Sequence, residues 1–105
     1  RAMAEVVDQP ARRHTLQTLA DAAHLSTRHL SRLVQAETGM TPARWIEQVR
    51  LDAARRLLAA NYSVADAAEL SGFGSDETMR RVFRKHLNLT PTEYREQFRG
   101  AVGGS

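Results

Sequence analysis

The chain matches itself at an offset of about 49 residues, and no other feature limits its possible folds as strongly. Leu16, Leu19, Ala20 and Leu25 align with Val64, Ala67, Ala68 and Phe73. After one extra residue, Gly74, the match continues from Ser26, Leu30, Arg32, Leu33, Thr41 and Pro42 to Ser75, Met79, Arg81, Val82, Thr90 and Pro91. Within each copy apolar residues recur at three-and-four spacing, which gives helices one apolar stripe each, and no alternating run signals a strand. A unit this long, present only twice, does not make a solenoid. It predicts two pseudo-equivalent lobes in an all-α domain.

Each copy reads as helix, tight turn, helix. In the first, residues 15–39, Thr15 caps Leu16 to Ala23, His24 and Leu25 turn the chain, and Ser26 caps a helix that Gly39 stops. In the second, residues 63–88, Ser63 caps Val64 to Ser71, Gly72-Phe73-Gly74 makes the turn, and Ser75 caps Asp76 to Leu87 before Asn88. Between the copies, residues 41–61 form a linker helix: Thr41 caps, Pro42 suits the first helical position, and Asn61 is a left-handed stop. Its roughly 19 residues at 1.5 Å each make a rod of about 28 Å. Trp45, Ile46, Val49, Ala53, Leu57 and Leu58 form one stripe along it. Thr90-Pro91 with Glu93 opens a last helix, 90–99, with a capping box, and Tyr94 and Phe98 join Trp45 as core aromatics. A short helix over Arg1 to Gln9, with Met3, Val6 and Val7 inward, brings the total to seven in a domain of residues 1–99, followed by a flexible tail, 100–105.

Composition narrows the chemistry. At 105 residues the chain is one small domain, and 42% hydrophobic with 26% charged residues is a globular balance. With no cysteine, disulfides, thiolate zinc sites and cysteine nucleophiles are excluded. His14, His24, His29 and His86 lack metal-ligand spacing, so no metal or cofactor is expected. There is no nucleophile, base and acid set and no phosphate-cradling glycine loop, so the chain is not read as an enzyme. No apolar run approaches membrane-spanning length, which makes the cytoplasm the expected compartment. Net charge is +3 and the sequence pI about 10.2, an excess that suits nucleic acid. The sequence starts at Arg1 without an initiator and reads as a piece of a longer protein.

That positive charge is arranged on particular helix faces. In the helix after Ser26, Leu30, Leu33 and Val34 make the inner side, and Arg28, Arg32 and Gln35 lie opposite. In the helix after Ser75, Met79, Val82 and Phe83 are inner, with Glu77, Arg81 and Arg84 opposite and Arg80 and Lys85 beside them. A helix that reads a DNA groove needs donors and acceptors on the face its own core leaves unused, and arginine and glutamine forks match guanine and adenine edges. Any solvated helix face tends to be charged, but two matched faces separated by a spacer near the 34 Å of a DNA turn are a stronger pattern. Glu77 fits two roles, accepting from a cytosine amino group or favouring the helix dipole from the first turn. Ser26, Thr41, Ser75 and Thr90 are caps whose helix starts also suit phosphates.

The run Arg50-Leu51-Asp52-Ala53-Ala54-Arg55-Arg56-Leu57-Leu58, then Ala68-Glu69-Leu70-Ser71-Gly72-Phe73, Arg81-Val82-Phe83-Arg84 and Thr90-Pro91-Thr92-Glu93-Tyr94-Arg95, resembles the signature of the AraC/XylS family of bacterial transcription regulators. Leu25-Ser26 through Thr41-Pro42 resembles that family's first helix-turn-helix, so the likeness covers about Leu16 to Phe98. It implies a seven-helix domain that puts two recognition helices into successive major grooves of double-stranded DNA. Family base-contacting positions fall on Arg28, Ser31, Arg32 and Gln35, and on Asp76, Glu77, Arg80 and Arg81. Backbone contacts fall to Ser26, Thr41, Ser75, Thr90, Arg84 and Lys85. Two positions depart from the pattern: Met79 stands where an aromatic or Leu is common, and Asn88 where Gly is usual. Acidic Asp76 and Glu77 either narrow the bases the second lobe accepts or leave it mainly a phosphate clamp. The segment Gly72-Phe73-Gly74-Ser75 with Arg80-Arg81 and Phe83-Arg84 resembles the GlxA-type branch, which implies a preceding amidotransferase-like sensing or dimerising domain; RNA polymerase is a further expected partner.

Two other classes of protein share parts of this pattern. DNA-alkylation repair sensors share this fold, but their methyl-accepting chemistry needs the cysteine that this chain lacks. A helical protein-interaction module contacting the transcription machinery would show little salt-dependent affinity for DNA.

Overall fold

In a computed structural model of the chain, the described residues are Pro10 and 16–103, with side chains at Pro10 and 16–98. They form six helices and no strand: α1 (Leu16–Ala23), α2 (Thr27–Thr38), α3 (Pro42–Ala59), α4 (Val64–Ser71), α5 (Asp76–Leu87) and α6 (Pro91–Gly103). Seven helices were expected; the expected first, Arg1 to Gln9, lies outside the described residues, as does the Thr15 cap. The last helix runs on to Gly103, past the end expected at 99.

Local chemistry explains the boundaries. The hydroxyls of Ser26, Thr41 and Ser63 accept from the backbone N–H groups of His29, Arg44 and Asp66 at 3.1, 3.2 and 3.0 Å. Thr90 and Glu93 close a reciprocal capping box, Glu93 N–H to Thr90 Oγ1 at 3.0 Å and Thr90 N–H to Glu93 Oε1 at 2.8 Å. Gly39 ends α2 and Asn88 ends α5 in the left-handed region, at φ 73° and 57°. Asn88 therefore takes the conformation that the usual glycine would take. Asn61, at φ 73°, stops the rod two residues after Ala59, and Arg95 Nη2 on α6 donates to its Oδ1 at 3.1 Å.

The rod, α3, has 18 residues, about 27 Å at 1.5 Å each, within a molecule 50 × 25 × 22 Å across. It serves two separate cores. Its first half contributes Ile46 and Val49 to a cluster with Leu19, Ala20, Leu30 and Val34. Its second half contributes Leu51, Ala54 and Leu58 to a cluster with Ala67, Ala68, Met79, Val82, Phe83 and Tyr94. At 100° per residue these two sets point about 140° apart, so the rod carries two short stripes where one long stripe was expected. Leu51 and Ala54 were missed for that reason, and Trp45 and Leu57 are only half-buried against their clusters.

Two more expected core residues lie further out. Leu33 is 40% exposed while its repeat partner Val82 is 3% exposed. Val82 lines a cleft with Ala43, Ile46 and Arg50 of the rod, and nothing among the described residues covers Leu33 to that degree. Phe98 is 38% exposed and rests on Tyr94 with ring centroids 5.0 Å apart.

The second turn is held by backbone. Gly72 has φ +98°, and a Cβ there would overlap the Pro10 carbonyl oxygen and come within 2.8 Å of Arg50 Nε. Arg50 Nε itself donates to that carbonyl at 3.2 Å.

Candidate nucleic-acid interface

The presentation of α2 follows from how its inner side is used. Leu30 and Val34 are buried on the rod, so at 100° per residue Arg28, Arg32 and Gln35 fall in an arc of about 60° on the far side. All three are exposed, and Ser31 is half-buried on the flank. In α5, Met79, Val82 and Phe83 are buried, and the same construction puts Glu77, Arg81 and Arg84 in the matching arc. Those three, with Asp76, Arg80 and Lys85, are exposed. Asp76 lies nearer the buried stripe by angle and reaches solvent because it begins the helix. Glu77, Thr78, Arg80, Arg81 and Arg84 line one shallow groove along α5. Arg81 also lines the cleft between α5 and the rod, so it stands where groove and cleft meet.

The two faces differ in charge. The described acids of α5, Asp76 and Glu77, sit in its first turn, and Arg84, Lys85 and His86 in its last, each sign at the helix end that favours it. No acid occupies the first turn of α2. The first lobe thus offers cations and an amide from its start, whereas the second begins acidic and becomes basic.

The four cap positions are not equivalent as anion sites. Ser26 and Thr41 use their hydroxyl oxygens as acceptors, which leaves the hydroxyl hydrogens for another partner. Ser75 accepts from Thr78 N–H at 3.2 Å and donates to Thr78 Oγ1 at 3.0 Å, so its hydroxyl is occupied both ways. At Thr90 the N–H already meets the Glu93 carboxylate.

Two other cations near the rod are structural. Burial lowers the pKa of the Arg50 guanidinium below its usual value. Arg55 is raised, chiefly by donating to the Tyr94 hydroxyl at 3.3 Å, and its guanidinium lies 5.7 Å from the centre of the Tyr94 ring. One contact had no signal in the sequence. Glu47 on the rod meets His86 of α5 at 3.0 Å, Oε1 to Nε2, with Lys85 Nζ 4.0 Å from the same oxygen. The partners are 39 residues apart and are not equivalent positions of the repeat, so spacing alone does not pair them. His24 and His29 are exposed, and His14 lies outside the described residues. Among the described residues no group of three or more histidines, aspartates or glutamates is placed to hold a metal ion.

A helix-turn-helix domain family matches residues 19–97, so the chain belongs to this family, in its AraC/XylS form. The chain is 40% identical over 86 residues to the HTH-type transcriptional regulator Rv1931c of Mycobacterium tuberculosis, covering 81% of this chain and 33% of that protein. It is 35% identical over 82 residues to the probable transcription factor PqrA of Proteus vulgaris, 77% of this chain and 67% of that one. Among solved structures, the DNA-binding domain of the global transcriptional factor AdpA, in complex with a target DNA, superposes with a TM-score of 0.89 at 32% identity. That match covers 95% of this chain and 91% of the AdpA chain. The chain spans about a third of the length of Rv1931c. The family and fold are those of transcription regulators rather than enzymes. No described helix is long and apolar enough to cross a membrane.

Proposed function

We propose that this chain is the sequence-specific DNA-binding domain of a bacterial transcription regulator, with α2 and α5 seated in successive major grooves of one duplex. The observation that carries this reading is the pair of matched solvent arcs on the second helix of each helix-turn-helix, Arg28, Arg32 and Gln35 against Glu77, Arg81 and Arg84. The likeness to AdpA, solved on a target DNA, supports it.

Arg28, Ser31, Arg32 and Gln35 read bases in the first groove, and Asp76, Glu77, Arg80 and Arg81 in the second, with the arginines as principal donors to guanine edges. Arg84, Lys85 and the helix starts at Ser26, Thr41, Ser75 and Thr90 hold the backbone. Ser26 and Thr41 are the better placed of the four caps, because their hydroxyl hydrogens are not used within the cap. A rod of about 27 Å against a 34 Å turn implies that the duplex bends to seat both helices. In the intact protein a sensing or dimerising domain, of the amidotransferase-like type, precedes this one, RNA polymerase is the further partner, and the compartment is the cytoplasm.

Arg32→Ala is expected to weaken binding to the preferred duplex by about 1–3 kcal/mol and to relax preference at one base pair. Lys85→Ala is expected to weaken all duplexes alike and to flatten the salt dependence by less than one contact, since Glu47 already shares its charge. Titrating both variants with specific and random duplexes over a salt series checks this. Unchanged affinity of Arg32→Ala for both duplexes contradicts the assignment of Arg32.

A further inference from the structure

We infer that Glu47 is a positioning residue that sets the angle between the two reading helices and thereby the spacing of the DNA boxes they accept. The inference rests on the two-groove reading above. Glu47 lies between Ile46 and Val49, the rod residues buried in the first core, so its backbone belongs to the first lobe. Its carboxylate nevertheless meets His86 Nε2 at 3.0 Å and lies 4.0 Å from Lys85 Nζ, both in the last turn of α5. Among the described residues the two cores share no side chain, so the angle between the lobes is set by the rod and by contacts beside it, the Pro10 carbonyl against Gly72 and the Glu47 tie among them.

The brace stands where tilt has the most leverage. It joins the end of α5 to the first half of the rod, beside the cleft that Arg81, Val82 and Thr78 form with Ala43, Ile46 and Arg50. Glu47 is 27% and His86 20% exposed in the side chain, so the hydrogen bond is partly shielded from water. Inserting or deleting one base pair between two boxes moves the second by about 3.4 Å and turns it by about 35°. A domain with a fixed interlobe angle rejects that change, and a domain free to tilt follows it.

The test is a selection of the domain on duplexes holding both boxes with their spacing randomised by up to two base pairs. Wild type is expected to favour one spacing by about tenfold over its neighbours, the scale of one charge-assisted hydrogen bond. Glu47→Ala is expected to reduce that preference to about threefold or less, with the base preferences inside each box unchanged. Glu47→Gln, which keeps an oxygen to accept from His86, is expected to restore most of the spacing preference. If Glu47→Ala keeps the sharp spacing, loses base preference within the boxes, or is matched by Glu47→Gln in its loss, the inference is overturned. If wild type selects no paired boxes at all, it is the two-groove reading that fails.

Discussion

Phe83→Ala is expected to lower the unfolding free energy by about 3–5 kcal/mol, the usual cost of removing a wholly buried aromatic ring. Phe83 is 0% exposed, and its ring meets the Tyr94 edge-to-face at 5.8 Å between centroids. Around it lie Leu51 and Leu58 of the rod and Met79 of its own helix, so one deletion loosens the contacts that hold α5, α6 and the rod together. Small domains have about 5–15 kcal/mol in total, so the loss approaches the whole. The second lobe shares no core residue with the first, so it bears the damage. Urea unfolding followed by circular dichroism measures the effect. The fluorescence of Trp45, the sole tryptophan, which packs on the first core, reports separately on the other lobe. A loss below about 1 kcal/mol would show that the second core does not depend on this ring.

The double variant Arg32→Ala with Arg81→Ala is expected to lose about 2–6 kcal/mol of affinity for the preferred duplex, roughly 30-fold to 10⁴-fold. The two arginines occupy equivalent repeat positions in lobes whose cores share no side chain among the described residues. Neither shares a core with the other, so the two single losses should add. Affinity for random duplex should fall much less, by the general charge of two cations, when both are measured at one salt concentration. A double variant that binds the preferred duplex within threefold of wild type would remove both residues from base reading. A double variant no weaker than Arg32→Ala alone would confine the reading to the first lobe.

Much of this fold is legible in the chain because its signals are local. Capping residues and left-handed stops mark helix starts at Ser26, Thr41, Ser63 and Ser75 and helix ends at Gly39 and Asn88, where their side chains and φ preferences lead. The repeat supplied the topology. The rod was misread in a way periodicity makes natural: a stripe is sought with one phase, and α3 changes phase by about 140° midway because two lobes claim it. Leu33 failed for a related reason. The repeat makes it the equal of Val82, but burial at that position depends on the rod lying over α5, which the first lobe does not reproduce among the described residues.

The exposure of the outer faces of α2 and α5 was legible to the same degree, since it follows once the inner stripe is known. The state of each group was not. That Ser75 and Thr90 are already engaged by Thr78 and Glu93, and that Lys85 shares Glu47 with His86, depends on rotamers and on a contact across 39 residues. Those details separate the groups open to a phosphate from the groups the fold has used.

Whether both helices read bases is decided by selecting the domain on a pool of random duplexes at near-physiological salt and sequencing what it retains. A bipartite motif is expected, two short boxes about one helical turn apart, with guanines opposite the arginines of each helix. A motif with a single box would reduce α5, with its Asp76 and Glu77, to backbone contact. No enrichment of any sequence would contradict the account and leave a helical protein-interaction module in its place.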